Sequence, residues 1–402
     1  MTLSEQAADQ TSPRRRGKAS LGRLDWSTWP TYQAAGLGLR DHWYPVMWAK
    51  DVGQRPIPIV VSGEKIVIGR NRGKVWALAD RCPHRGVPLH LGSVEFPGTI
   101  SCAYHGWTFD TSNGVLCAAI TDGPRSPIVG KVSVARYPVE ERLGLVWIYI
   151  ARDPDDRDQP VRPLDEDLPA ELVSNATTVV GRIEPGRGGN WRYATENGFD
   201  EGHAKYLHRH ALWTLFRELP VWNETKVMRS DDGRWVIRRQ VNSYWEESFP
   251  GLGTWTQRRW WKFKRTSHGP FKGKRAEPVL ASLDLPAKAS VGLPGVVRIA
   301  YGRYVHYEWA VAEGADSHRY VQLLVSFARS PIERLWFRLK YRLFIRWVFH
   351  GQFTGQDAWM VDVMEVPPER LYRPDSSVLE WRRFVEDEEA GRQGTESAEP
   401  ND

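Results

Sequence analysis

Two short stretches of this sequence carry metal-binding side chains at close spacing. Arg81-Cys82-Pro83-His84-Arg85-Gly86 sets a thiol and an imidazole two positions apart, and 17 residues after His84 comes Ser101-Cys102-Ala103-Tyr104-His105-Gly106-Trp107, with a second such pair. Two chemistries use that donor set. A structural zinc ion takes two thiolates and two imidazoles tetrahedrally. A [2Fe-2S] cluster can instead take both thiolates on one iron and both imidazoles on the other, which raises its potential above that of an all-cysteine cluster. Zinc fingers place ligands of one type together, whereas each stretch here is mixed, so each loop has to reach both irons. Further along, Asn190 to His208 contains Asp200-x-x-His203 followed by His208. Two histidines and one carboxylate on one face of a metal, with open positions left for O2 and substrate, are the donors of non-haem Fe(II) oxygenases. A spacing of five on a regular α-helix turns two side chains about 140° apart. The helix must therefore end or bulge between His203 and His208, and π-bulges are favoured at such sites. His210 is a rival for the second histidine.

The two Cys/His segments resemble the Rieske signature, and His105-Gly106-Trp107 continues in the pattern of Rieske oxygenases. Asn197-Gly198-Phe199-Asp200-x-x-His203 resembles the catalytic-domain motif of Rieske non-haem iron ring-hydroxylating oxygenase α subunits, and Gly351 to Met360 resembles the late helix of that family. The resemblance spans roughly residues 38 to 390 and points to the single-subunit branch. It implies an α+β fold with an all-β Rieske [2Fe-2S] domain and a helix-grip catalytic domain, an antiparallel sheet with helices. It also implies Cys82, His84, Cys102 and His105 as cluster ligands and His203, His208 and Asp357 as ligands of a mononuclear Fe(II). Asp362 and Glu365 are alternatives for the carboxylate. Asp200 takes the family's linking role, bridging His203 to His105 of a neighbouring subunit in a homotrimer.

The implied activity is that of a terminal oxygenase in aromatic hydrocarbon catabolism, using NAD(P)H-derived electrons and O2 for cis- or angular dihydroxylation of an aromatic or heteroaromatic ring. A monooxygenase or an O/N-demethylase would use the same centres, and an electron carrier would need only the first. No Gly-rich dinucleotide motif occurs, so the electrons come through a separate reductase, a ferredoxin, or both. The expected partners are an aromatic small molecule, O2, the electron donor and two further copies of the chain; neither nucleic acid nor membrane association is expected.

Residues 1–25 read as a disordered arm, 40–155 as the Rieske domain, 156–385 as the catalytic domain and 386–402 as an acidic disordered tail. Strands are expected at Ile57–Val61, Lys65–Ile68, Val75–Ala79, Trp107–Phe109 and Leu143–Ile150, with turns at Asn71-Arg72-Gly73 and Ser112-Asn113-Gly114. Beyond an acidic, Pro-rich crossover from Asp153 to Pro169, further strands are expected at Trp235–Val241, Val279–Leu285, Val297–Tyr304 and Tyr320–Phe327. Helices are expected near 191–207, 331–350 and 352–364.

The three cysteines of the 402 residues cannot make a disulfide framework, and the longest apolar run, Leu143 to Ile150, is of strand length; a cytoplasmic protein is expected. Cys117 reads as a small buried residue. The net charge of +6 suits an acidic redox partner. For the aromatic and basic segment 334–350, the favoured reading is a core helix with snorkelling arginines; membrane-surface attachment and a ferredoxin dock are the others. Phe199, Leu207, Leu212, Trp213, Leu215 and Phe216 are pocket candidates, with core packing favoured for most.

Overall fold

The computed structural model describes residues 28–153, 160–173, 178–212, 219–256, 289–301, 304–327, 330–365 and 369–396. The N-terminal arm, the strand expected at 279–285 and the pocket candidates Trp213, Leu215 and Phe216 lie outside the described residues.

The first part of the chain folds as three small antiparallel sheets. β1 (His42–Trp48) pairs with β9 (Leu145–Ile150), which pairs with β8 (Val139–Arg142). β2 (Ile57–Val61), β3 (Glu64–Asn71) and β4 (Lys74–Ala79) form a meander, as do β5 (Thr99–Ser101), β6 (Trp107–Asp110) and β7 (Leu116–Ala119). Arg72 and Gly73 take positive φ in the β3–β4 turn, as the Asn-Arg-Gly sequence requires. Ile100, Phe109, Leu116, Leu78 and Trp76 close a compact core that also contains Cys82 and Cys102. Cys117, expected inside, is instead exposed on β7 because the thiol falls on the outer face of that edge strand.

The catalytic part is built on one antiparallel sheet of seven strands. β10 (Thr178–Gly188), β11 (Trp222–Arg229), β12 (Trp235–Tyr244), β15 (Ala289–Gly292), β16 (Val296–Tyr301), β17 (Tyr304–Gly314) and β18 (Ser317–Ser326) lie in the order β10-β18-β17-β16-β15-β12-β11. A hairpin of β13 (Glu246–Phe249) and β14 (Gly253–Thr256) stands apart. The single strand expected at Val297–Tyr304 proves to be parts of two, β16 and β17. β17 escaped the periodicity because it is central and buried along both faces, so its apolar residues do not alternate with polar ones. Trp147 of β9 packs edge-on against Trp309 of β17, joining the two parts through a common core.

The crossover is fixed in place. Asp167 is buried, where it accepts hydrogen bonds from the Trp43 N–H at 2.8 Å and lies 2.9 Å from His42 Nδ1. The acidic stretch 386–396 also departs from expectation, since the helix Ser376–Glu396 runs through it, while 397–402 lie outside the described residues. Glu386 accepts from the Thr31 and Tyr32 N–H groups, and Glu389 is buried beside His42. These carboxylates cap and clamp other segments, so charge density there marks contacts and not disorder.

The segment 334–350 is only partly core. It forms the helix Pro331–Lys340 and a π-helix Tyr341–Phe353, with Phe337, Tyr341, Ile345 and Val348 buried against Tyr304 and Leu324. Leu335, Trp336, Leu343, Phe344 and Trp347 face outward. A core helix therefore accounts for half of its apolar residues.

Candidate metal centres

The two Cys/His loops repeat one backbone design. The Cys82 N–H donates to the Val87 carbonyl and the Gly86 N–H to the Cys82 carbonyl; the Cys102 N–H donates to the Trp107 carbonyl and the Gly106 N–H to the Cys102 carbonyl. Each loop needs a left-handed residue at its fourth position after the cysteine, and Gly86 (φ 76) and Gly106 (φ 65) supply it. A side chain on Gly106 would also meet Ile120 at 2.9 Å.

This folding puts the two thiols inside, His84 outside and His105 half-buried between them. Cys82 and Cys102 are buried, and burial, with the neighbouring Cys102 thiol adding to it, pushes the Cys82 thiol up to about 11. His84 is exposed, and its ring lies 4.6 Å from that of His105 and is stacked on Trp107 at 4.8 Å. His105 Nδ1 is buried without a hydrogen-bond partner. Two adjoining buried thiols and an inward, unpartnered imidazole nitrogen fit a cluster held by two sulfurs and two nitrogens, since a metal would both deprotonate the thiols and occupy the nitrogen.

The second site begins at a helix start fixed from several sides. Asn190 caps the helix Trp191–Phe199 by accepting from the Arg192 N–H at 3.0 Å, while its own amide donates to the Gly36 and Ala315 carbonyls. Gly189 before it has φ 83, and a side chain there would come within 2.8 Å of the Val361 carbonyl. That close approach brings the helix Thr354–Val363 against the motif helix. Glu196 is held by Arg382 at 2.7 and 2.8 Å, which ties the same helix to the C-terminal one.

The chain leaves helical geometry at Asp200, turns into the helix Gly202–Tyr206, and tightens into a 3-10 turn over Leu207–His210. The required break between His203 and His208 is thus a helix end, while the π-helix appears elsewhere, just before Asp357. With it, His203, His208 and Asp357 converge, their ligand-type atoms all within 4.8 Å of one another. Asp357 Oδ1 lies 3.3 Å from His203 Nε2 and 3.0 Å from His208 Nε2. His210 points instead into an open cavity lined also by Gln356 and Trp359, Asp362 pairs with Arg187 at 2.5 Å, and Glu365 is exposed.

Both histidines have their outer nitrogen engaged. His203 Nδ1 lies 3.2 Å from Asp200 Oδ2, and His208 Nδ1 lies 2.9 Å from Gln356 Oε1. Such acceptors hold the proton on Nδ1 and leave Nε2 to a metal. His208 and Asp357 are both buried, and His208 Nε2 and Asp357 Oδ1 face each other, so a cation between them would take both as ligands. Burial works to lower the His203 pKa, but the flanking carboxylates Asp200 and Asp357 outweigh it and pull it up to about 9. Burial likewise tends to raise Asp357, and the two imidazoles hold it well below the ordinary carboxylate range. Asp200, which also accepts from the Gly202 and His203 N–H groups, is held at about 2 against its own burial, chiefly by the hydrogen bond from His203.

Sequence reasoning missed three neighbours of this site. Gln356 was inside the segment that carried Asp357, but an amide gave no signal of its own. Phe353 stacks on His208 at 3.8 Å. Glu201, buried beside Asp200, accepts from Asn223, Thr225 and Gln240, and from Lys205 at 3.2 Å, which pins the turn to β11 and β12. Of the pocket candidates, Phe199 is core, Leu212 packs at the edge of the Phe337 cluster and Leu207 is half-buried.

A small β domain with a Cys2His2 tip and a helix-covered antiparallel sheet with a two-His, one-carboxylate centre together define a two-centre iron oxygenase. Residues 42–131 match the model for the Rieske [2Fe-2S] domain, and residues 155–249 match that for homotrimeric ring hydroxylases. The terminal oxygenase component of carbazole 1,9a-dioxygenase from Sphingomonas sp. is 30% identical over 397 residues, covering 93% of this chain and 98% of the relative. The solved terminal oxygenase of carbazole 1,9a-dioxygenase from Nocardioides aromaticivorans IC177 superposes with a TM-score of 0.75 at 28% identity, covering 90% of this chain and 98% of that one. A solved reduced complex between oxygenase and ferredoxin of carbazole 1,9a-dioxygenase gives 0.73 at 27%, covering 90% and 92%. The chain belongs to the Rieske non-haem iron ring-hydroxylating oxygenases, as its α, or terminal oxygenase, subunit.

Proposed function

We propose that this chain, as a cytoplasmic homotrimer fed by a ferredoxin, a reductase or both, dihydroxylates an aromatic or heteroaromatic substrate. The observation that carries the reading is the convergence of His203, His208 and Asp357 beside Asp200, a carboxylate already bound to one of the three. Cys82, His84, Cys102 and His105 would hold the [2Fe-2S] cluster, and His203, His208 and Asp357 the mononuclear Fe(II). When bound, the cluster supplies single electrons from NAD(P)H and the mononuclear iron supplies O2 activation.

The protein's own part is positional. Gln356 and Asp200 fix the tautomers of the two histidines, and Phe353 covers the His208 ring against water. Asp200 is held ionised by its three donors and stays partly exposed, so it can accept from a second imidazole, which in the trimer would be His105 of the partner subunit. His84 and His105, at the outer end of the cluster loops, are the groups such an approach would reach.

The test is Asp200→Asn. Rapid reduction and reoxidation of the cluster should show transfer to the second site slowed by about 100-fold, with iron and sulfide content unchanged. Unaltered transfer would overturn the bridging role. Isotopically labelled O2 tests the reaction: both labelled atoms in one product support dihydroxylation, and one atom would assign a monooxygenase or demethylase.

A further inference from the structure

The helix Pro331–Lys340 and the π-helix that continues it carry three parallel stripes, each at a spacing of four. Phe337, Tyr341, Ile345 and Phe349 point inward and are buried. Leu335, Leu339, Leu343 and Trp347 point outward, with Leu335 69% and Leu343 73% exposed. Arg334, Arg338, Arg342 and Arg346 run alongside them. Ile332, Trp336 and Phe344 widen the outer apolar face, and Lys340 Nζ lies 5.3 Å over the Trp336 ring.

Water-soluble surfaces seldom expose a contiguous apolar band of this kind without a binding partner. We propose that this face lies on an anionic lipid surface, parallel to it and without crossing. No described helix is long and apolar enough to cross a membrane, whereas an in-plane amphipathic helix needs only leucines, aromatics and a flanking row of cations. The arginine stems can follow the apolar side chains inward while their guanidinium groups stay among lipid phosphates.

Charge selects this occupant. The row of four arginines beside the apolar band matches lipid phosphates, whereas a second copy would have to bring carboxylates to the same place. These helices pack on β10 and on the helix Thr354–Val363, in the catalytic part; an acidic electron donor would answer the arginine row but not the leucine band beside it. The same π-helix ends at an open cavity of about 380 Å³ bordered by Gln352, Gln356 and Trp359, next to the partner of His208. An aromatic compound dissolved in lipid would thus arrive close to the iron site; that consequence rests on the oxygenase reading, and the lipid contact does not.

The experiment is flotation of the full, metal-loaded protein with vesicles of phosphatidylcholine alone and of phosphatidylcholine with phosphatidylglycerol in equal parts. The protein should float with the anionic vesicles and progressively less as salt is raised. Leu339→Ser with Leu343→Ser, and separately Arg338→Gln with Arg342→Gln, should each lower that partition by at least about tenfold, with oligomer mass and iron content unchanged. The proposal falls if the native protein stays in the soluble fraction with anionic vesicles, or if both double variants float as well as it does. It falls equally if the leucine variant breaks the oligomer, which would assign the face to a second copy, or if the arginine variant slows cluster reduction by ferredoxin. An inactive protein that still floats would count against the oxygenase reading alone.

Discussion

The cluster loops take all four of their donors from Cys82 to His105 and hold them by backbone bonds inside two similar turns. The second site takes two donors from a broken helix and the third from another helix, so that 148 residues separate His208 from its partner Gln356. The first design asks only that two turns form, each enforced by one left-handed glycine. The second asks that a glycine gap at Gly189, a cap at Asn190 and a π-helix before Asp357 all agree on one position. A short local motif should therefore fail alone, while the distant site should also respond to changes outside its ligands.

The largest effect should come from Cys102→Ser, which removes one of the two thiols proposed to hold the cluster. All turnover should be lost and iron should fall from about three to about one per chain, with the visible cluster spectrum gone. If mononuclear iron left as well, the two sites would not be independent. Asp357→Ala is the converse. It should abolish mononuclear iron and substrate-dependent O2 uptake while leaving the cluster spectrum intact, as anaerobic iron titration would show.

A smaller effect tests whether the distant site depends on its surroundings. Gln356→Leu removes the acceptor at His208 Nδ1 and should weaken Fe(II) binding by roughly 10- to 100-fold. Gln356→Glu should restore most of it, and equal loss in both would mean that Gln356 serves only as packing. The smallest expected effect concerns acid stability of the metal-free chain. The Asp200 carboxyl is held at about 2, below its ordinary 3.8, so its contribution is complete above 3.8 and is lost as the pH falls through 2. The shift corresponds to roughly 2 kcal/mol. Asp200→Asn should flatten that part of the acid unfolding curve, and an unchanged curve would show that the hydrogen bonds to Gly202 and His203 contribute nothing to stability.

The cluster tip was legible in the sequence because a mixed Cys/His pair, repeated once, has few other uses. The β2–β3–β4 meander was legible because its strands are rich in β-branched and aromatic residues around a turn that Asn71-Arg72-Gly73 supplies. β17 was hidden because central strands bury both faces. The helix through 386–396 was hidden because Glu386 and Glu389 are used against the distant Thr31 and Tyr32 N–H groups and His42, contacts that carry no local signature. The outer face of 331–347 shows the same limit from another side. Its residue types marked an amphipathic helix, but only packing against Tyr304 and Leu324 decided which apolar stripe was inside.

The sequence by itself determined the candidate donors: two thiols and two imidazoles in adjacent turns, and Asp200 with His203 at the close of one motif. Those follow from side-chain chemistry and short-range turn geometry. Tertiary structure alone decided that His208 and not His210 faces inward and that Asp357 and not Asp362 or Glu365 meets the histidines. It also decided that Gln356 holds the His208 ring. The reason is that a metal site spanning distant segments is set by how helices pack, where one missing side chain at Gly189 and one change of helical pitch select the carboxylate that arrives.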